Sequence, residues 1–374
     1  MPEASGIREV SWVDVKGGGQ ITVSGTTAYV GHTLGKEATT VIDVADPRNP
    51  KVVKTLDCKH QGCHAHKVRI MGDLMLTNYE SIDYTGETEA GFTGGLNIFD
   101  VSDPLDPKHI HFWETAGDGV HRFTVDDRYA YISPTAEGYE GHICMILDMS
   151  NPTRPVEVGR WHWPGQHVAA GEEADVPIKR LRCHHPIRRG DRLYVSYWHA
   201  GWAILDITDM SHPKEVSRFS TFPPFPCPTH TCLPFPEKIQ GMDIMLVADE
   251  DVARPADAGP AFAWVIDITD EENPIPISSY QVEGLGSREP TPVRSGCHQP
   301  VEEVRGTDIP FAWFAQGLRV VDFANPHAPR EVAYFVPDKP PGCDEVLSND
   351  VYEDDRRLIY LMDRDRGLHI LERT

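Results

Sequence analysis

Five histidines, His66, His121, His184, His230 and His298, occupy one equivalent place in a block that recurs along the 374-residue chain, just ahead of a strand pair. Imidazole offers a neutral lone pair to a transition metal, and a repeat fold that closes into a ring would bring these residues together around its axis. Several imidazoles packed there alone would repel one another whenever one is protonated, whereas a metal ion uses their lone pairs jointly. All-imidazole ligation suits iron, copper, zinc, nickel or manganese better than calcium or magnesium, and one ion is expected, iron or copper ahead of zinc, manganese or nickel. The register leaves His64 as an alternate to His66 and His185 as an alternate to His184.

The elements that must position these residues are legible from the end of each block. An apolar strand closes on Asp and runs into a turn at Val41-Ile42-Asp43, Ile98-Phe99-Asp100, Ile146-Leu147-Asp148, Ile204-Leu205-Asp206, Val265-Ile266-Asp267 and Val320-Val321-Asp322. A period of about 45 to 60 residues is that of propeller blades. The six aspartates read as turn formers, because an Asp side chain readily bonds nearby backbone N–H groups. Each unit reads as four short strands, as in 186–189, 193–196, 202–206 and 215–219, separated by Gly-Asp and Pro-containing turns. The last unit stops after its third strand, and Arg8-Glu9-Val10-Ser11-Trp12-Val13 matches the missing fourth, by analogy with Lys214-Glu215-Val216-Ser217-Arg218-Phe219. The expected fold is all-β: a seven-bladed β-propeller closed by an N-terminal strand that completes the C-terminal blade. One domain is expected, with blades near 17–58, 63–115, 119–163, 181–221, 227–284, 296–338 and 347–374 plus 7–15.

The Leu/Val-Ile-Val-Asp type block, preceded by strands such as Gly190-Asp191-Arg192-Leu193-Tyr194-Val195, resembles the LVIVD-repeat propellers over nearly the whole chain. A narrower stretch, Leu193-Tyr194-Val195-Ser196-Tyr197-Trp198-His199-Ala200-Gly201 followed by Leu205-Asp206-Ile207-Thr208-Asp209, is similar to one blade of the selenium-binding proteins, a family that includes methanethiol oxidases. That resemblance implies a seven-bladed propeller with a histidine-bound metal, copper by implication.

A net charge of −22 argues against nucleic acid or an anionic membrane as partner, since both reward Lys and Arg. No apolar run is long enough to span a bilayer, and Met1-Pro2-Glu3-Ala4-Ser5-Gly6 lacks the basic and apolar regions of a secretory signal, so a cytoplasmic location is expected. Eight cysteines in so long a chain are no disulfide framework. Cys63, Cys183 and Cys297 directly precede a histidine, and strand neighbours point to opposite faces, so these thiols are expected in the apolar interior.

Ligand histidines usually give their second N–H to a carboxylate or carbonyl, which makes Glu302, Glu303, Asp249 and Asp350 candidate orienters. With His185 and Tyr197 they form the expected catalytic set. His32, Asn78, Glu250, Gln316, Asp363 and Arg364, at the ends of second strands, are further candidates for the same face. That face carries the long loops, 80–94, 164–182, 223–229, 249–260, 284–295 and 337–347, while opposite hairpins such as Gly25-Thr26 are tight. Aromatic residues there, among them Tyr139, Trp163, Trp198 and Phe225, point to a small-molecule substrate of apolar or aromatic character. No P-loop, Gly-x-Ser-x-Gly elbow or His-Glu-x-x-His is present. Three functions fit: a metal-dependent oxidase or oxygenase, a non-redox metal lyase or hydrolase, and a non-catalytic interaction scaffold.

Overall fold

Short β-branched runs broken by Gly and Asp turns leave no stretch for an amphipathic helix, and the chain forms seven antiparallel sheets in a ring. The computed structural model describes residues 2–33, 35–60, 62–81, 91–174, 181–222, 224–252, 254–255, 257–286 and 291–374. Parts of the long loops expected at 80–94, 164–182, 223–229, 249–260 and 284–295 lie outside the described residues. The innermost strands of blades one to seven are Gly18–Ser24, Cys63–His64 with Val68–Met71, Val120–Val125, Cys183–Arg189, Thr229–Pro234, Gln299–Pro300 and Ser348–Glu353. Each packs beside the next, and the seventh returns to the first, which closes the ring.

The closure follows the expected route. Ile7–Val13 pairs antiparallel with Gly367–Arg373, in register from Ile7 opposite Arg373 to Val13 opposite Leu368. The chain then goes one step further, because Glu3–Ser5 adds a fifth strand to blade six beside Tyr334–Val336. Three exposed residues carry no apolar alternation, so this strand leaves no mark in the sequence.

Each third strand ends as the sequence suggested. Asp43, Asp100, Asp148, Asp206, Asp267 and Asp322 each accept the amide two residues on, at 2.8 to 2.9 Å. These turns fix where the fourth strand starts. Between blades the alternating apolar residues, such as Val30, Ile42, Leu76, Ile98, Leu205 and Leu246, are fully buried. Each contributes about 1.5–3 kcal/mol. Cys63, Cys183 and Cys297 sit in these layers, buried, as free thiols.

Candidate metal centre

His121, His184 and His230 owe their aim to a repeated backbone irregularity. In blade three Val120 pairs with Pro134 and Phe123 with Ile132, so His121 and Arg122 together stand opposite Ser133. In blades four, five and seven the extra residue is His184, His230 and Asn349. Such a bulge breaks the strict alternation of a strand and re-aims side chains, here toward the axis. The amide freed by the bulge finds a side chain on the second strand: Arg122 N–H donates to Ser133 Oγ at 2.9 Å, His185 N–H to Ser196 Oγ at 3.0 Å, and Lys67 N–H to Asn78 Oδ1 at 2.8 Å. In blade two the strand is interrupted, and a Cβ on Gly19 or Gly31 would lie 2.5 Å from His66 atoms, so glycine lets this segment close on blade one.

Six imidazoles form a continuous arc. Ring centroids are 3.8 Å apart for His64 and His66, 5.1 Å for His66 and His121, 4.8 Å for His121 and His184, and 4.4 Å for both His184 with His230 and His230 with His298. His64, His66 and His121 each bring a ligand atom within 4.8 Å of the others, as do His184, His230 and Glu250. Burial lowers the pKa of all six, His64 to about 4 and the other five well below the usual histidine value, so the rings are neutral.

Hydrogen bonds decide which nitrogen is free. Nδ1 of His64 faces Thr33 O at 2.7 Å, Nδ1 of His184 faces His230 O at 2.9 Å, and Nδ1 of His298 bonds Asn349 O. A carbonyl only accepts, so each Nδ1 carries the proton and each Nε2 keeps its lone pair. Nδ1 of His121 bonds Glu80 Oε2 at 2.6 Å, and Glu80 Oε1 lies 3.0 Å from His142 Nε2. Burial alone would raise the Glu80 carboxyl, but His121 and His142 hold it well below the usual carboxylate range. His121 therefore also presents a lone pair, and its Nε2 lies 3.0 Å from that of His184. Two lone pairs at that distance repel unless a proton or a cation lies between them. A cation bound by both would hold their nitrogens about 3 to 3.4 Å apart.

His230 differs from the others. Arg122 Nη1 donates to its Nε2 at 2.6 Å, which occupies that lone pair. Arg122 also reaches Gln299 Oε1 at 3.0 Å and Glu302 Oε1 at 3.4 Å, and so links the arc to a second tier deeper in the channel. There Lys67 Nζ lies 2.5 Å from Glu302 Oε1, Arg69 bonds the other oxygen, and His185 Nε2 is 3.5 Å from it. Burial would raise Glu302, but Arg69, Lys67 and His185 hold it ionised.

Of the expected catalytic set, Glu302, His185 and Asp350 belong to this second tier. Asp350 accepts Ile21 N–H at 2.8 Å, and burial pushes its carboxyl up to about 6. The remaining three lie elsewhere. Glu303 is exposed and accepts from Tyr352 Oη at 3.0 Å; Tyr197 is buried between blades on Gln166 Oε1 at 2.9 Å; Asp249 accepts from Trp264 Nε1 at 2.8 Å. A cavity of about 980 Å³ lined by Arg69, Glu302 and Asp350 opens among the tight hairpins, so it is a vestibule to the second tier rather than to the arc.

Among the described residues, the carboxylates of Glu80 and Glu250 lie beside the arc, the latter with Oε1 3.5 Å from His298 Nε2. Burial raises the Glu250 carboxyl against the pull of Arg364, Arg122, Arg182 and Arg294. Glu250 and Arg364 were among the second-strand candidates, whereas Glu80 and His142 were missed. A signal for the second tier existed: Lys67, Arg122, His185, Thr231, Gln299 and Asp350 are polar where a strand next to an axial residue should return to the apolar side. Two non-glycine residues with positive φ also flank His298, Phe314 at 37° and Arg294 at 70°. The Phe314 ring stacks on His298 at 4.4 Å, and strain of this kind is held where a side chain must be aimed.

These features define a histidine-centred β-propeller. Residues 121–162 and 189–221, in blades three and four, match the family model of the LVIVD repeat. The narrower resemblance to the selenium-binding proteins is not shown by this match. No curated protein matches the chain. Among solved structures, streptogramin B lyase is similar over 97% of its own chain and 98% of this one, at 10% identity and a TM-score of 0.60. Sqt1 of Saccharomyces cerevisiae covers 95% of this chain with 82% of its own, at 8% identity and a TM-score of 0.56. The computationally designed Ika8 protein covers 97% with 98%, at 8% identity and a TM-score of 0.54. At such identities the likeness is one of fold.

Proposed function

We propose that the chain is a metal-dependent enzyme that acts on a small organic molecule at the histidine arc. The observation that carries this reading is the tautomer pattern: backbone carbonyls and Glu80 take Nδ1–H of His64, His121, His184 and His298, which leaves Nε2 lone pairs in one buried arc. His121 and His184, with His64 and His66 beside them, are the residues that would hold the ion. A bound transition metal would supply a Lewis acid or a redox centre, and the histidine-rich centre together with the resemblance of residues 193–209 to the selenium-binding proteins favours an oxidase or oxygenase using iron or copper. Glu80 orients His121 and raises its basicity. Phe314 fixes the ring of His298, and Arg122 holds His230 away from ligation.

A second reading, a lyase or hydrolase without redox change, draws on Glu250. This buried acid, raised by burial and next to His298, is suited to keep and give up a proton beside a bound substrate. Turnover of small thiols, aromatics and sugar acids, compared under air and under nitrogen, separates the two. Oxygen-dependent turnover supports the oxidase; oxygen-independent turnover supports the lyase or hydrolase. Full activity in metal-free protein would refute both.

A further inference from the structure

The mouth of the histidine arc is ringed by arginine in a chain whose net charge is −22. The Arg182 guanidinium lies 5.2 Å over the Trp198 ring, which itself packs 4.8 Å from His184, and its Nη2 is 4.0 Å from Glu80 Oε1. Its Nε is buried without a hydrogen-bond partner. Arg364 Nε donates to Asn349 Oδ1 at 2.8 Å, the same residue whose carbonyl fixes His298. Arg294 is exposed, and its side chain makes no hydrogen bond or ion pair with the described residues. Its backbone is nevertheless firmly placed: its N–H donates to Asp251 O at 2.9 Å, its carbonyl accepts from Ala315 at 3.1 Å, and it holds a φ of 70°. Arg182 reaches the arc beside His184 through Trp198, Arg364 reaches it beside His298 through Asn349, and the Arg294 carbonyl bonds Ala315, the neighbour of the Phe314 ring that stacks on His298.

We propose that this mouth binds a small organic anion, its charged group held by Arg182, Arg294 and Arg364 and its flat apolar body against Trp198. The inference rests on the catalytic reading above and names the substrate class for the same site. Guanidinium groups meet carboxylate or phosphate oxygens through paired N–H donors, and a positive opening in an acidic protein concentrates anions where it is needed. Trp198 is half-buried, with one face given to the Arg182 cation and the His184 ring beside it, so an aromatic body would complete the wall. The oxygens of Glu80 lie closer to His121, at 2.6 Å, and to His142, at 3.0 Å, than to Arg182 Nη2, at 4.0 Å.

The test titrates benzoate, phenyl phosphate and benzyl alcohol by calorimetry into wild-type, Arg294→Ala and Arg182→Gln protein, each with and without Co²⁺. Co²⁺ uptake is followed separately by its visible absorbance. We expect benzoate or phenyl phosphate to bind better than benzyl alcohol, to weaken roughly 10- to 100-fold in each variant, and to weaken with added salt, while Co²⁺ uptake is unchanged. Which of the two anions binds more tightly identifies the charged group. If the anions bind no better than the alcohol, or the variants bind like wild type, the inference is overturned even where Co²⁺ binds normally. If Co²⁺ fails to bind while arginine-dependent anion binding persists, the anion site stands and the metal reading falls.

Discussion

Replacing Arg254 with leucine should cost stability and, through it, disturb the mouth of the arc. Asp251 and Arg254 form a fully buried ion pair. Arg254 further donates to Ala258 O at 2.9 Å, Pro292 O at 2.7 Å and Thr291 O at 3.0 Å, so it ties the segment after Glu250 to the segment that carries Arg294 and leads to His298. Removing one partner of a buried pair costs about 3–5 kcal/mol because the other charge stays buried. Asp251 keeps the amides of Ser295 and Gly296, each at 2.6 Å, which places the Arg254→Leu loss at the low end, about 3 kcal/mol. Unfolding 374 residues carries an entropy of roughly 0.8 kcal/mol per kelvin, so the midpoint should fall by about 4 °C. Thermal unfolding followed by circular dichroism measures this. The double variant Asp251→Asn with Arg254→Leu should recover part of the loss, since no buried charge is then left unpaired. A single variant that melts within about 1 °C of wild type, or a double variant less stable than the single one, would refute the argument.

Deleting residues 1–16 removes the outer strand of blade seven together with the buried side chains of Ile7 and Val15; at about 1.5–3 kcal/mol each, the midpoint should fall by roughly 4–8 °C, and an unchanged, equally cooperative melt would contradict strand closure. Asp249→Asn should change the pH dependence of stability. Burial pushes the Asp249 carboxyl up to about 7, so the folded state holds this proton more tightly than the unfolded chain, and its contribution is full below about pH 4 and lost as pH rises through 7. The variant's advantage over wild type should therefore grow by up to a few kcal/mol between pH 4 and pH 7 in urea titrations, and a flat difference would show that this carboxyl titrates normally. His230→Ala should retain metal better than His121→Ala or His184→Ala, because Arg122 already occupies the His230 lone pair; equal losses by equilibrium dialysis would show that Arg122 gives way to the ion.

Much of the ring was legible because each blade repeats the same local problem. An apolar strand that must stop needs a residue to bind the turn amide, and the six aspartates that do so mark the period. The histidines were legible for the same reason, as they share one register position. What strand alternation hides is the bulge, which turns two consecutive residues toward the axis and puts Arg122 and His185 in the channel beneath His121 and His184. Glu80 and His142 were not legible at all. Glu80 ends a second strand, and His142 precedes a third strand in a loop; only the tertiary approach of blades two and three brings the pair to 3.0 Å. Residues chosen as orienters simply for being acidic and near a histidine in sequence, such as Glu303, fall on the far side of the same short segment.

The most direct test of the central claim is the metal content of protein purified without added metal, measured by mass spectrometry alongside a His121→Ala/His184→Ala double variant that is verified as folded. The account predicts about one equivalent of a transition metal, iron or copper, per wild-type chain, and its loss from the double variant. A wild-type protein that is metal-free and takes up none of iron, copper, zinc, manganese or nickel on dialysis, or a double variant that holds as much metal as wild type, would contradict it.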